Sequence, residues 1–547
     1  MTVPEPKSKF TKPVLLPVPE SRKREKLPPA TQQEQLEDFL MDQRWLAVIL
    51  LVLPLNFLFT SYWAFRDYLV RTVLSPFRSH DRTVAYIQKQ MQKWRESGSK
   101  NYLCSRRPGF LQVTLRDGVY KHKDNAIDLP LYDILELDTE KRTVKVEPSV
   151  NIGQLTRFLI PKGWCIPVIP EYDDLTMGGM LNGYGIEGSS HKYGLFNDII
   201  KSIDIIVGTG EVVHCSPTEN ADLFYALPWS YGGIGFAVMI ELEIIPVKKY
   251  CRLVYEPMRT VDDMVNRFTE LAEAANPPEY LEGIQYDYHN GILTHGDFAD
   301  EVGKDGKYNA MGRWWKPWFH RHAEILMKKD HPTVEYIPLR DYLHRHTRSL
   351  YWEGDLIIPI GNHWLFRYTL GWLMPPSVSF LKLTQTKAQR DHYFHKHIAQ
   401  DYLLPLNKLK ESLDLSHQVY EVYPLWLCPH AVLKTTPQGA LRAPVNGADI
   451  EQYVDVGIWG VPGAVGRREK YDAHEANREY ETWLRENRGY QAMYAISEMT
   501  ADEFYEMFDM TLYKNARKKY KSEGVFMDVT QKVLVKKDNS KDFATLL

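Results

Sequence analysis

Several signatures that would assign a chain quickly are missing. The five cysteines (Cys104, Cys165, Cys215, Cys251 and Cys428) are odd in number and widely spaced, and no CxxC pair occurs among them. This argues against a disulfide framework or a cysteine-rich zinc site and for reduced thiols facing the cytosol; no metal centre is expected. Charge of one sign is also absent. The 67 Lys and Arg nearly balance the 70 Asp and Glu, leaving a formal net charge of −3. A nucleic-acid partner would normally leave a basic footprint, so none is expected. No GKS or GKT closes a six-residue glycine loop, which excludes a P-loop, and no Rossmann fingerprint follows a first strand.

What is present is a chain of 547 residues, 44% apolar and 25% charged, long enough for two or three domains. The 33 Tyr, 21 Phe and 14 Trp suffice to fill cores and to line a large apolar pocket as well. Residues 1–44 are polar and rich in Pro, Lys and Glu, the composition of a disordered tail. Residues 45–66 follow as a candidate transmembrane helix. Trp45 to Phe65 carries no charge and is just long enough to cross a bilayer, with Trp45, Tyr62 and Trp63 at interfacial positions and Pro54 and Asn56 as sources of a kink. Arg66, Arg71, Arg78 and Arg82 on the C-terminal flank outnumber Lys26 and Arg44 on the other, which favours a cytosolic body, although "RKREK" at 22–26 pulls the opposite way.

The body opens with a helix carrying Val84, Ile87, Met91 and Trp94 at helical spacing, then a short strand, "NYLCS", and a turn, "RRPG". "LYDILELDTEKRTVKVEP" alternates apolar and polar residues around a turn and predicts a hairpin. Ile152, Leu155, Phe158 and Leu159 mark a second helix face. The most informative stretch is "DDLTMGGMLNGYGIEGSSHKYGLFNDII", with glycines at 178, 179, 183, 185, 188 and 194. Glycines let a backbone approach a diphosphate, and successive N–H groups form an anion-binding nest; a purely structural turn accounts for the same residues. "IDIIVGTGEVVHCS" and "WSYGGIGFAVMIELEII" add strands around further glycine turns.

In this order the parts resemble the PCMH-type FAD-binding domain of the vanillyl-alcohol-oxidase superfamily. "CSRRPGFLQVTLR", "PEYDDLTMGGMLNGYGIEGSSHKYGLF", "VYPLWLCPH" and "EFYEMFDMTLY" are similar to segments of one branch, the Diminuto-type delta(24)-sterol reductases, with the likeness running over roughly residues 80–520. The resemblance implies an α+β fold. A two-subdomain FAD-binding domain would occupy 80–250 and an α+β substrate (cap) domain 251–485. A C-terminal segment, 486–547, would return toward the flavin. It implies FAD as cofactor, NADPH as reductant docking transiently at the flavin face, a sterol substrate, and a single-pass anchor in the endoplasmic reticulum membrane with the catalytic body in the cytosol. Oligomeric state is not legible. Cofactor contacts are expected at Thr176, Met177, Gly178, Gly179, Gly183, Gly185, Ile186, Ser189, Ser190 and His191, and at the later turn, Gly233 and Gly235.

An isolated alkene is not polarised, so hydride addition needs a protein acid. In "LHRHTRSLYWE", read as a strand, His344 and His346 share one face and Tyr351 and Glu353 another. His346 and Glu353 are therefore candidate catalytic residues, as is Tyr494 in the C-terminal segment. An FAD oxidase or dehydrogenase of an alcohol or hydroxy acid, and a non-catalytic membrane-tethered sterol-binding protein, are the alternatives. The apolar, aromatic stretch around 355–376 suits either a membrane surface or ordinary burial. Many relatives in the superfamily carry a histidine at the first pyrophosphate turn that can bind flavin covalently, whereas Ser105–Phe110 here has none, so non-covalent FAD is expected. Acid or heat denaturation is expected to release all the flavin into the supernatant; a yellow, protein-bound fraction would contradict this.

Overall fold

The computed structural model describes residues 24–32, 35, 39, 43–75, 79–98, 100–112, 114, 121, 125–385 and 395–534. Most of the tail expected over 1–44 lies outside the described residues. A continuous helix, α1 (Arg44–Val73), is long and apolar enough to cross a membrane. It widens into π-turns at Val48–Val52 immediately before Pro54, whose missing N–H interrupts the regular ladder. Helix α2 (His80–Glu96) buries Val84, Ile87 and Met91.

The first half of the body is built on a five-stranded sheet. Its strands are β1 (Ile134–Asp138), β2 (Thr143–Val146), β3 (Ile200–Val207), β4 (Val212–Cys215) and β5 (Gly235–Glu243), in the order β1-β2-β5-β3-β4. The hairpin read from the sequence is β1–β2, antiparallel, with Asp138 accepting from the N–H groups of Glu140 and Lys141 in its turn. Helix α3 (Ile152–Leu159) starts where the Asn151 side chain accepts from the Gln154 N–H at 2.8 Å. At the β3–β4 turn a Cβ on Gly208 would stand 1.9 Å from the Lys521 carbonyl oxygen, so the C-terminal chain lies directly on this turn.

The second half is a nine-stranded sheet. It comprises β6 (Tyr250–Met258), β7 (Tyr280–Gln285), β8 (Gly291–Ala299), β9 (Lys307–Tyr308), β10 (Thr333–Pro338), β11 (Ile398–Pro405), β12 (Leu425–Leu433), β13 (Ile450–Gly460) and β14 (Tyr490–Gln491). Their order is β9-β10-β6-β8-β7-β12-β13-β11-β14. The last strand lies beyond residue 485, where the sequence reading ended the substrate domain. β12 and the inner part of β13 are buried on both faces, as expected of strands at the centre of a covered sheet. The segment "LHRHTRSLYWE" is not the strand assumed above. It is a chain of short helical turns, Leu339–Leu343, Thr347–Ser349 and Glu353–Ile357, with Leu350 and Tyr351 at φ 48° and 59° between them.

One core runs through both halves, and its polar keystone is Arg345. This fully buried guanidinium donates to Glu282 (2.8 and 2.7 Å) on β7 and to Glu187 (3.0 Å) in the glycine-rich stretch, with Glu171 at 3.9 Å. Burial pushes Glu171 and Glu187 above the usual carboxylate range, whereas Arg345 and His346 hold Glu282 well below it despite the same burial. Arg345→Leu would leave buried carboxylates from both halves without their cation. A loss of about 3–5 kcal/mol is expected, read as a lower denaturant midpoint, whereas a midpoint within error of wild type would remove Arg345 from this role.

Candidate functional site

A cavity of ≈ 1860 Å³ lies between the two halves. That exceeds the roughly 300–1,000 Å³ of a pocket for one drug-sized ligand, so it has room for a large cofactor and a second molecule. Its walls change in character from end to end.

The middle is a glycine cradle. Helix α4 (Met177–Asn182) begins after Thr176, and the chain here runs against residues 148–151, with Gly178 N–H on the Pro148 carbonyl at 2.8 Å. A Cβ on Gly178 would meet Pro148 Cβ at 2.8 Å, and one on Gly185 would meet Pro170 Cγ at 2.8 Å. Thr176, Gly178, Gly179, Gly183, Gly185 and Ile186 all face the cavity. The rest of the expected set divides. Gly235 faces the cavity, as do Tyr231 and Gly232. Met177 is core, and Ser189 and Ser190 are fully buried, donating to the Pro167 carbonyl and accepting from the Glu187 N–H respectively. His191 sits at 3.0 Å from the Pro278 carbonyl, and burial drops its pKa to about 4. Gly233 lies under Tyr513 and Arg517 of helix α5 (Thr511–Lys519), its carbonyl accepting from Arg517. These five are absent from the cavity wall; His191 and Gly233 instead join the glycine segments to later parts of the chain, through Pro278 and Arg517.

One end of the cavity is basic. Arg107 from the "SRRPGF" turn, Lys121 and Lys532 line it. Lys121 donates to the Ser105 hydroxyl at 3.1 Å, and Lys532 to the carbonyls of Tyr231 (2.9 Å) and Gly232 (3.2 Å). Desolvation, aided by Arg107, lowers Lys121 to about 8. Desolvation, aided by Arg517 and Lys121, lowers Lys532 to about 7. Buried ammonium groups that repel one another beside a glycine cradle are complementary to a diphosphate, whose charge would restore their protonation. The sequence reading missed Lys121 and Lys532; nothing in "VTQKVLV" marks a lysine that returns to a turn some 300 residues earlier.

The other end is aromatic and acidic. Tyr351 and Trp459 face each other at 4.6 Å between ring centres, and Tyr351 and Trp426 at 5.3 Å. Tyr351 donates to Glu171 at 2.6 Å. Tyr494 lines this end, its hydroxyl accepting from Trp459 Nε1 at 3.1 Å and lying in hydrogen-bonding contact with Asp401. Asp401 also accepts from Tyr184 at 2.7 Å, and the same hydroxyl is 3.4 Å from Asp455. Burial raises Asp401 to about 6; burial, then Asp401 itself, raises Asp455 well above the usual range. Of the other expected residues, Glu353 reaches the wall and pairs with His397 at 2.9 Å. His346 stands behind the wall: fully buried, stacked on Tyr351 at 4.2 Å, bound to Glu282 at 3.1 Å, and lowered to about 4 by burial.

Lys532→Met should therefore weaken cofactor retention by about tenfold or more, one charge-assisted hydrogen bond being worth ~1.5–3 kcal/mol. The measurement is flavin released per polypeptide after gel filtration, against unchanged retention for the exposed control Lys201→Met.

A family model described as an FAD binding domain matches residues 112–216, covering the hairpin, the glycine cradle and the β3–β4 pair. The cofactor of this domain is FAD, and the cradle and basic corner fit it. The delta(24)-sterol reductase of Rattus norvegicus is 43% identical over 91% of this chain and 95% of its own length. That of Arabidopsis thaliana is 41% identical over 90% and 92%. A delta(24)-sterol reductase homolog of Caenorhabditis elegans is 40% identical over 92% and 97%. With 40–43% identity over nine-tenths or more of both this chain and these relatives, the chain belongs to the delta(24)-sterol reductase family.

Proposed function

We propose that this chain reduces the side-chain delta(24) double bond of a sterol with FAD, taking electrons from NADPH, at the endoplasmic reticulum membrane with the body on the cytosolic side. The observation that carries the reading is a cavity lined by a basic corner, a glycine cradle and an aromatic chamber backed by buried acids. Bound there, the reduced flavin supplies a hydride.

The residues of the chamber would do the rest. Adding hydride to one alkene carbon leaves cationic character on the more substituted one, and a proton must arrive to complete the saturated bond. Tyr351, Trp426 and Trp459 offer ring faces to a cation, and a dry wall keeps water from capturing it. Tyr494 is the proposed donor at its phenolic oxygen, with Asp401 returning the proton to it and Tyr184 linking Asp401 to Asp455. A carboxyl kept protonated by burial is suited to this reservoir. Glu353 with His397 is the second candidate on the wall. His346 is proposed to position Tyr351 by stacking. Pyridine nucleotide is proposed to use the same face of the cradle transiently.

A hydroxy-acid oxidase reading finds less support, because the chamber beside Tyr351 is walled by aromatic rings and by the carboxyl groups of Glu171, Glu353 and Asp401, which give a substrate carboxylate no countercharge. A binding protein without catalysis leaves the basic corner without a purpose.

The deciding experiment is anaerobic. Enzyme reduced by NADPH should be reoxidised by a sterol bearing the side-chain alkene; rapid reoxidation by oxygen alone, with none by sterol, would move the assignment to an oxidase. Tyr494→Phe should slow the sterol half-reaction by about 10²–10⁴-fold, the usual worth of a general acid, and leave reduction by NADPH unchanged. The sterol half-reaction should also decline as pH rises past about 6, where Asp401 loses its proton, and Asp401→Asn should abolish that limb of the profile.

A further inference from the structure

We infer that α1 does not cross the bilayer but lies along one leaflet, its outer face forming a single lipid-facing surface with the exposed aromatic patch at 364–383. This concerns topology and stands whether or not the substrate is a sterol.

The chain is fastened to the same body on both sides of α1. Upstream, Leu27 N–H bonds the Arg468 carbonyl at 3.0 Å and Lys470 N–H bonds the Glu25 carbonyl at 2.8 Å. Arg24 donates to the Val419 carbonyl at 3.0 Å and covers the Tyr471 ring. Downstream, His80 meets Glu147 at 2.8 Å, and α2 packs on Ile206 and Val238 of the five-stranded sheet. A helix crossing the membrane once would put these two attachments on opposite sides of it.

The helix also holds the body along its length. Arg44 donates to the Leu356 carbonyl, Leu53 is fully buried with Ile358 and Phe366, and Asn56 accepts from Ser377 N–H and Oγ at 3.0 and 2.9 Å. Phe59 meets Phe380 at 5.1 Å, and Arg66 lies over Tyr132 at 5.6 Å. From Arg44 to Arg66 the axis rises about 33 Å, the full hydrocarbon thickness of ~30 Å. Upright insertion would drag all these partners, Tyr132 and its hairpin included, into the lipid core.

The outer face fits a leaflet instead. Leu51, Leu55, Leu58, Tyr62 and Phe65 recur every three or four residues and are 52–63% exposed, without a charge among them. Trp364, Leu365, Tyr368, Trp372 and Leu383, from a segment 300 residues away, are 51–63% exposed. Phe57 joins the two sets by an edge contact with Trp372 at 5.5 Å. The inner face, through Val48, Val52, Phe59 and Trp63, lines the cavity. The helix is apolar all round because lipid covers one side and an apolar channel the other.

Two measurements on the full-length protein test this. With epitope tags at both termini in sealed microsomes, external protease should remove both tags; protection of one alone would overturn the inference. Spin labels on L51C, L58C and F65C in reconstituted bilayers should report one common depth. A crossing helix would spread them over about 20 Å, at ~1.5 Å per residue, and that spread would reject the leaflet arrangement. Spin–spin broadening with little exposure to lipid-soluble relaxant would show a second copy of the chain on this face and would also overturn it.

Discussion

Arg345 is enclosed by three carboxylates that come from both halves of the molecule, Glu171 and Glu187 from the cradle side and Glu282 from the central sheet. A lone guanidinium in such a place would be ruinous, and so would three lone carboxylates; together they are tolerable only when the halves are docked in one register. Arg345 donates to both oxygens of Glu282 and, with His346, holds it below the usual range, while burial pushes Glu171 and Glu187 upward. Glu171 accepts from Tyr351, Tyr351 stacks on His346, and His346 returns to Glu282. The ring of contacts thus fixes the aromatic wall of the chamber by the same interaction that closes the interface.

That register gives the cavity its polarity. Basic groups collect where the first turn, the glycine turn at 231–233 and the C-terminal chain converge, and acids collect where β11 and β13 place Asp401 and Asp455 behind Tyr184. Between them the glycines at 178 and 185 permit backbone approaches that any side chain would block.

Local patterns in the sequence were sufficient where the chemistry is local. The hairpin β1–β2, helices α2 and α3 and the cavity-facing glycines follow from periodicity and turn residues within a few positions. The serines and histidine at 189–191 share the composition of the cradle, yet they serve the seam with the second half, because Gly188 and Leu281 exchange a backbone contact there. A motif records that a chain approaches something closely, not whether the neighbour is a ligand or another strand. The reading of "LHRHTRSLYWE" as a strand failed for a related reason: two left-handed residues, Leu350 and Tyr351, turn the chain between His346 and Glu353. Asp401, Asp455 and Lys532 carry no local mark at all; each acquires its meaning from burial beside groups distant in the chain.

Helix α5 and the residues after it complete the glycine turn: Arg517 caps Gly233, Ser522 donates to the Ile234 carbonyl, and Lys532 closes on Tyr231 and Gly232. The nucleotide-binding half, though encoded early, therefore lacks part of its wall while the ribosome is still reading the second half. Cofactor capture must wait until the chain has been made past Lys532, so a translation product truncated before that residue would leave the ribosome without a sound flavin site, however well its first sheet had folded.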